Sequence, residues 1–402
     1  YMHALQSMNG QGGWPLNMFL TPDCKPFYGG TYFPPSDRRG MPGFPRVLNA
    51  IATSYESNNP EIVTAAEKLL SQMEKGVLSI ASKGDVGEDL LSDAFKHIES
   101  SFDTHDGGFG QPPKFPQPLI PEFLLQYHHR TKNKSAINMV EVTLDKMSGG
   151  GIYDQIGGGF HRYSTDGQWL VPHFEKMLYD NALLVQIFLH AFQVTQKNSY
   201  RKVVEETLDY LIRDMKNENG GFYSSQDADS EGEEGKYFVW STEQVSEILE
   251  PQHSEIFCKY YGISDGGNFE GKNILNVPMS FDLFATDNRL DKKELRRLID
   301  KGKENILKSR YERIAPETDQ KILSSWNGMM IKALSEAGVV LGRDDYLTAA
   351  KSCALFILKN LVDGTRLKRS FKDGVAKFNG YLEDYSQLIN GLISLHEATL
   401  DV

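Results

Sequence analysis

What most restricts the fold is a short glycine-rich mark that recurs between helical segments. It reads Asp106-Gly107-Gly108-Phe109-Gly110, then Gly157-Gly158-Gly159-Phe160-His161, then Asn219-Gly220-Gly221-Phe222-Tyr223, and more loosely Asp265-Gly266-Gly267-Asn268-Phe269. The copies stand roughly 50 to 60 residues apart, about one helical pair, which is the sign of a repeat architecture. Around them, apolar residues recur at three- and four-residue spacing over 90–102, 119–129, 135–147, 174–196, 200–215, 242–249, 292–309, 326–341, 345–361 and 382–398. That is the period of amphipathic helices. Helical hairpins joined by such linkers predict a mainly α fold, an α/α toroid in which inner and outer helices alternate and loops pool at one end. Phe109, Phe160 and Phe222 are expected to plug the gaps between neighbouring hairpins.

The first part of the chain follows other rules. Residues 1–8 read as the end of a helix, stopped by Asn9-Gly10 and Gly12-Gly13. The apolar runs 14–20 and 27–33 flank the turn Thr21-Pro22-Asp23-Cys24-Lys25-Pro26, the pattern of a β-hairpin. A proline after an aromatic at the head of a strand predicts a cis bond at Trp14-Pro15. Residues 44–57 and 60–80 read as helices, and 85–88 as a polar joint. Helix, Gly-Trp-Pro and hairpin together resemble the second half of a thioredoxin fold. Two domains are therefore expected: 1–85, the C-terminal part of a thioredoxin-like α/β domain with the helices after it, and 86–402, the toroid.

A net charge of −11 over 402 residues argues against nucleic acid or an anionic membrane surface as the main partner. No apolar run is long enough to span a bilayer. Cys24, Cys258 and Cys353 lie far apart with no CxxC, so they form neither a metal knuckle nor a local redox pair. Sparse cysteine points to a reducing, cytoplasmic compartment. Neither a cofactor nor a metal is expected. The acidic run Asp227, Asp229, Glu231, Glu233 and Glu234 invites a calcium reading, with Gly232 where an EF-hand loop has its glycine. The place of the closing Glu, however, falls in the apolar run Tyr237-Phe238-Val239. An acidic hairpin or a sugar-binding loop suits the run better.

Chemistry concentrates in residues 149–181, GGGIYDQIGGGFHRYSTDGQWLVPHFEKMLYDN. Its glycine triplets let the chain fold back tightly, and its end feeds a helix expected from Phe174. Acid–base chemistry needs a proton donor and an acceptor about the substrate, and the candidates are Asp154, His161, His173, Glu175 and Asp180. Aromatic faces stack on sugar rings while charged groups bond the hydroxyls. The candidate substrate-binding residues are accordingly Tyr153, Arg162, Trp169, Tyr179, Asp227, Asp229, Trp326, Asn327, Asp384 and Tyr385. Either a paired-carboxylate hydrolase or a histidine-based epimerase could be built from this set. Asp154, His161, Arg162, His173, Glu175, Tyr179, Asp180, Asp227, Asp229, Trp326 and Asp384 each fall in a loop or at a helix start, so most of them are expected to converge on one pocket, with His173 and Glu175 at or near a helix's first turn.

Several motifs carry a family resemblance. They are Gly12-Gly13-Trp14-Pro15, Gly29-Gly30-Thr31-Tyr32-Phe33-Pro34-Pro35, Lys114-Phe115-Pro116, the 149–181 run, DADSEGEEG, Ser325-Trp326-Asn327-Gly328 and Leu382-Glu383-Asp384-Tyr385. Together they resemble the thioredoxin-domain family of spermatogenesis-associated protein 20 and its bacterial relatives. The resemblance implies a thioredoxin-like domain joined to an (α/α)6-barrel similar to N-acylglucosamine 2-epimerases and six-hairpin glycosidases, with no assigned activity. Against that family the chain lacks the N-terminal part with its CxxC-like motif and a portion after Val402, so an incomplete barrel is expected. The expected function is that of a carbohydrate-active or carbohydrate-binding protein, as an enzyme a sugar epimerase or a glycoside hydrolase, with a sugar as its small-molecule partner. The alternatives are a thioredoxin-like redox or chaperone protein with the toroid as scaffold, and a non-catalytic interaction protein.

Overall fold

The computed structural model describes residues 1–38, 40–57, 60–80 and 87–401. It divides into two compact units, Tyr1–Gly87 and Glu88–Val402. The domain boundary expected at 85/86 lies outside the described residues.

In the first unit the order is α1 (Met2–Asn9), β1 (Asn17–Leu20), β2 (Pro26–Gly30), α2 (Phe44–Glu56) and α3 (Pro60–Ile80). Gly10, at a positive φ of 76°, ends α1 and returns its N–H to the Gln6 carbonyl. The Trp14–Pro15 peptide bond is cis. β1 and β2 pair antiparallel, and α1 and α3 pack on β2 around Ala4, Leu5, Ala66 and Leu69.

The second unit is mainly helical. Its helices are α4 (Glu88–Ser101), α5 (Leu119–Thr131), α6 (Lys134–Gly149), α7 (Leu178–Thr195), α8 (Asn198–Tyr210), α9 (Thr242–Ile248), α10 (Pro251–Tyr260), α11 (Phe281–Asp287), α12 (Lys292–Arg310), α13 (Ser324–Leu341), α14 (Asp344–Asn360) and α15 (Leu382–Thr399). α5 packs against α7, α7 against α13 and α13 against α15, which makes these four a contiguous inner row. α6, α8 and α14 each stand outside the inner helix that adjoins them in sequence. This is the α/α-hairpin architecture of a toroid. α7 and α13 are apolar nearly all round and buried accordingly. α13 and α15 touch backbone to backbone: a Cβ on Gly391 would lie 2.4 Å from the Gly328 carbonyl oxygen. Only glycine permits that approach.

Between α8 and α13 the chain makes an excursion, α9 to α12, with a core of its own around Trp240, Phe257, Tyr261, Leu295 and Ile299. The short helices α10 and α11 are not evident from periodicity. Phe109, Phe160 and Phe222 are buried in the main core between the hairpins.

The linkers carry short strands: β3 (Tyr163–Ser164), β4 (Pro172–His173), β5 (Lys176–Met177), β6 (Ser225–Gln226), β7 (Asp229–Ser230), β8 (Glu233–Glu234), β9 (Thr318–Asp319), β10 (Ile322–Leu323), β11 (Val362–Asp363), β12 (Arg366–Lys372) and β13 (Val375–Asn379). β5, β6 and β9 make a three-stranded antiparallel sheet just ahead of the inner helices α7 and α13. The helix expected from Phe174 begins only at Leu178, because Lys176 and Met177 pair with Gln226 and Ser225 instead of closing a helical turn. His173, on β4, and Glu175 consequently lie just ahead of the first turn of α7.

Candidate functional site

Successive residues of a strand point to opposite faces, so the β5–β6–β9 sheet sorts side chains into two chambers. Glu175, Ser225, Asp227 and Asp319 line a cleft of about 270 Å³, completed by Glu317 and Lys372. Lys176 and Gln226, the alternate positions, line a neighbouring cavity of about 280 Å³ together with Asp154 and Arg310, with Thr318 lining both.

A chain of contacts runs from the cleft toward α7. Glu175 accepts a hydrogen bond from Arg162 at 2.8 Å. His173 stands 3.8 Å from the same carboxylate through Nε2, and 2.6 Å from Glu234 through Nδ1. The pairing of β3 with β4 stacks Tyr163 on His173. Burial raises the pKa of the Tyr179 hydroxyl, with the Asp180 carboxyl raising it further and the Arg162 charge opposing, and the Tyr179 ring lies 4.8 Å from the Trp326 ring.

Asp180 closes the chain. It occupies the first turn of α7, is buried, and its Oδ2 has no hydrogen-bond partner. Burial outweighs the pull of Arg162 and pushes its pKa up to about 7. A carboxyl of that kind both donates and accepts a proton near neutral pH.

Other candidates from the sequence are engaged by the fold. Asp154 is buried in an ion cluster, accepting from Lys176 at 2.8 Å and from both terminal nitrogens of Arg310 at 2.7 and 3.0 Å. Burial by itself would raise its pKa, but the Arg310 and Lys176 charges hold it well below the usual carboxylate range. His161 is wedged edge-on between Phe174 and Phe238, with Nδ1 2.8 Å from the Phe174 carbonyl. Burial, aided by Lys176, lowers its pKa to about 3, so the ring is neutral. Tyr153 donates to Glu206, Trp169 to the Asp106 carbonyl, and Asn327 holds the Phe222 backbone; all three are buried.

Asp384 accepts from the Ser325 and Tyr381 amides and from Arg369, while the Tyr385 hydroxyl accepts from the Leu367 amide. Asp384 ties the starts of α13 and α15 to β12, and Tyr385 ties α15 to β12. Asp229 is exposed on β7, opposite Glu234. The single pocket expected for most of these residues is therefore divided. Arg162, His173, Glu175, Tyr179, Asp180 and Trp326 join in one contact chain, and Asp227 lines the cleft that chain reaches. Asp154 faces the other chamber.

Sequence reading missed Lys176, Arg310, Glu317 and Lys372. Lys176 stands beside Glu175, and recognising a strand there would have separated the two. Arg310 gives no local sign, since its partner is 156 positions away.

Among the described residues, no helix is long and apolar enough to cross a membrane. Residues 1–74 match the family model Thioredox_DsbH, described as a protein of unknown function, DUF255. The chain is 36% identical to human spermatogenesis-associated protein 20 over 99% of its own length and 56% of that protein's. The mouse protein is 37% identical with the same shares. An uncharacterized protein of Caenorhabditis elegans is 33% identical over 98% of this chain and 59% of its own. The chain thus spans little more than half the length of these relatives, whose names state no activity. Among solved structures, a family 76 glycoside hydrolase from Bacteroides thetaiotaomicron is 14% identical, covering 78% of this chain and 51% of that one, with a TM-score of 0.47. Cellobiose 2-epimerase from Spirochaeta thermophila is 14% identical over 79% of this chain and 100% of that one, with a TM-score of 0.29.

Proposed function

We propose that this chain, a homologue of spermatogenesis-associated protein 20 along its whole length, binds a sugar in the cleft beside β5–β6–β9 and carries out proton transfer on it. The observation behind this reading is Asp180, a buried carboxyl with an unpartnered oxygen and a pKa of about 7, linked through Tyr179 and Arg162 to Glu175 in the cleft. Asp180 is the proton donor. Glu175, paired with Arg162, is the second carboxylate. Tyr179 and Trp326 offer apolar faces to a sugar ring, and Asp227, Asp319 and Lys372 bond its hydroxyls. A carboxylate-based hydrolase is favoured over a histidine-based epimerase, because His161 is buried, neutral and bonded to backbone, and His173 is held through Nδ1 by Glu234.

The test is a panel of sugars and aryl glycosides with the full chain and with Asp180→Asn. Turnover of a panel member should fall by ~10²–10⁴-fold in the variant while folding is kept. Undiminished turnover in Asp180→Asn, or no panel member bound at millimolar concentration, would overturn the reading.

A further inference from the structure

On the other side of the sheet lies the second chamber, a cavity of about 280 Å³. Lys176, Arg213 and Arg310 line it, against two carboxylates, Asp154 and Asp214. The carboxylates do not balance the cations. Asp154 is shared by Lys176 and Arg310, and Asp214 is held by Arg213 at 2.7 Å. Beside Arg310, Arg313 lies on the Trp240 ring at 3.5 Å and donates only to backbone carbonyls of 236–239. Among the described residues it has no carboxylate at ion-pair distance. Arg213 is exposed and Arg313 half-buried, but Lys176 and Arg310 are fully buried with Asp154 as their one shared carboxylate, and a buried surplus positive charge is unfavourable without a counter-charge.

One more group is unsatisfied. Arg310 is 3% exposed, lines the cavity, and its Nε has no hydrogen-bond partner. The wall also carries four aromatic rings, those of Tyr210, Tyr237, Phe238 and Tyr311. Lys176 Nζ sits 4.2 Å from the centre of the Tyr210 ring.

We propose that this cavity is a second small-molecule site, taking a ligand with one anionic group, a carboxylate or a phosphate. The anion supplies the missing negative charge between Arg213, Arg310 and Lys176, and the tyrosines pack the ligand's body. Guanidinium groups suit either anion, because their fork of N–H donors matches carboxylate and phosphate oxygens alike. Gln226 donates to the ligand from the sheet. Binding here uses charged groups other than those of the cleft, since alternation along β6 directs Gln226 to one chamber and Ser225 to the other, and only Thr318 of β9 lines both.

Calorimetric titration of the full chain at constant ionic strength, with inorganic phosphate in one arm and lactate in the other, tests this. Saturable one-to-one binding is expected in at least one arm, and the arm that responds identifies the anion. Affinity should fall by about tenfold or more in Arg213→Gln and in Gln226→Glu. It should be unchanged in Lys372→Gln, which removes the cation of the cleft. Circular dichroism verifies folding; should Arg213→Gln fail to fold, the isosteric Gln226→Glu decides alone. No saturable binding in either arm up to about 20 mM would overturn the proposal. So would binding that survives Arg213→Gln and Gln226→Glu but is lost in Lys372→Gln.

Discussion

The side-chain amide of Asn327 clasps the backbone of Phe222, accepting its N–H at 2.7 Å and donating to its carbonyl at 3.0 Å. Asn181 holds Phe160 with the same two distances. Each asparagine lies in the first turn of an inner helix and also donates to a carbonyl four residues back, Leu323 in one case and Met177 in the other. The recurring Gly-Gly-Phe linkers are thus locked to the helix starts by one device used twice. Only an amide offers a donor and an acceptor together in that space.

Asn327→Leu should strand the Phe222 N–H and carbonyl in the core, at about 1–3 kcal/mol each. Urea unfolding is expected to show a lowered midpoint. A midpoint equal to that of the wild type would show that the clasp contributes nothing to stability.

Asp154 carries a comparable demand in charge. Asp154→Ala leaves Lys176 and Arg310 buried without their shared carboxylate, a loss of about 3–5 kcal/mol. Thermal melts should place this variant well below Asp180→Asn. Were Asp154→Ala to melt normally and lose only turnover, Asp154 would belong to the reaction and not to the framework.

Asp180 links stability to pH with a definite sign. Its folded pKa is raised from 3.8 to about 7, so the folded chain binds the extra proton between those values. The associated stability is complete below about pH 4 and is lost as pH rises through 7. Asp180→Asn cannot ionise and should be more stable than wild type at pH 8, with the gap closing toward pH 4. Melting curves at both pH values check this; a gap of the same size at each would refute the assignment.

His190 behaves in the opposite range. Although burial lowers its pKa, a hydrogen bond to Glu122 at 2.7 Å and the Glu336 carboxylate 3.4 Å away raise it from 6.5 to about 9. Its contribution is present below pH 6.5 and is lost as pH rises through 9. His190→Gln should lose roughly 1–2 kcal/mol at pH 6, allowing for partial exposure. The two proteins should converge at pH 10, and denaturant titrations at the two pH values measure the difference.

Residue order by itself determined the features that depend on near neighbours. The α/α hairpins follow from three- and four-residue periodicity, the first-unit hairpin from its turn residues, and the cis bond at Trp14–Pro15 from its local context. The 149–181 segment was conspicuous because glycines, aromatics and charges crowd it. What tertiary structure alone decided is the surroundings of each of those charged groups. Asp154, Glu175 and Asp180 are three carboxylates within one short stretch, indistinguishable by type. Arg310, 156 positions away, fills the oxygens of the first. Pairing of Lys176 with Gln226 puts the second in an extended segment and at a cleft wall. Burial at the start of α7 leaves the third an unpartnered oxygen. A carboxylate's chemistry depends on its solvation and on the charges within a few ångströms, and these come from residues that only the folded chain brings together.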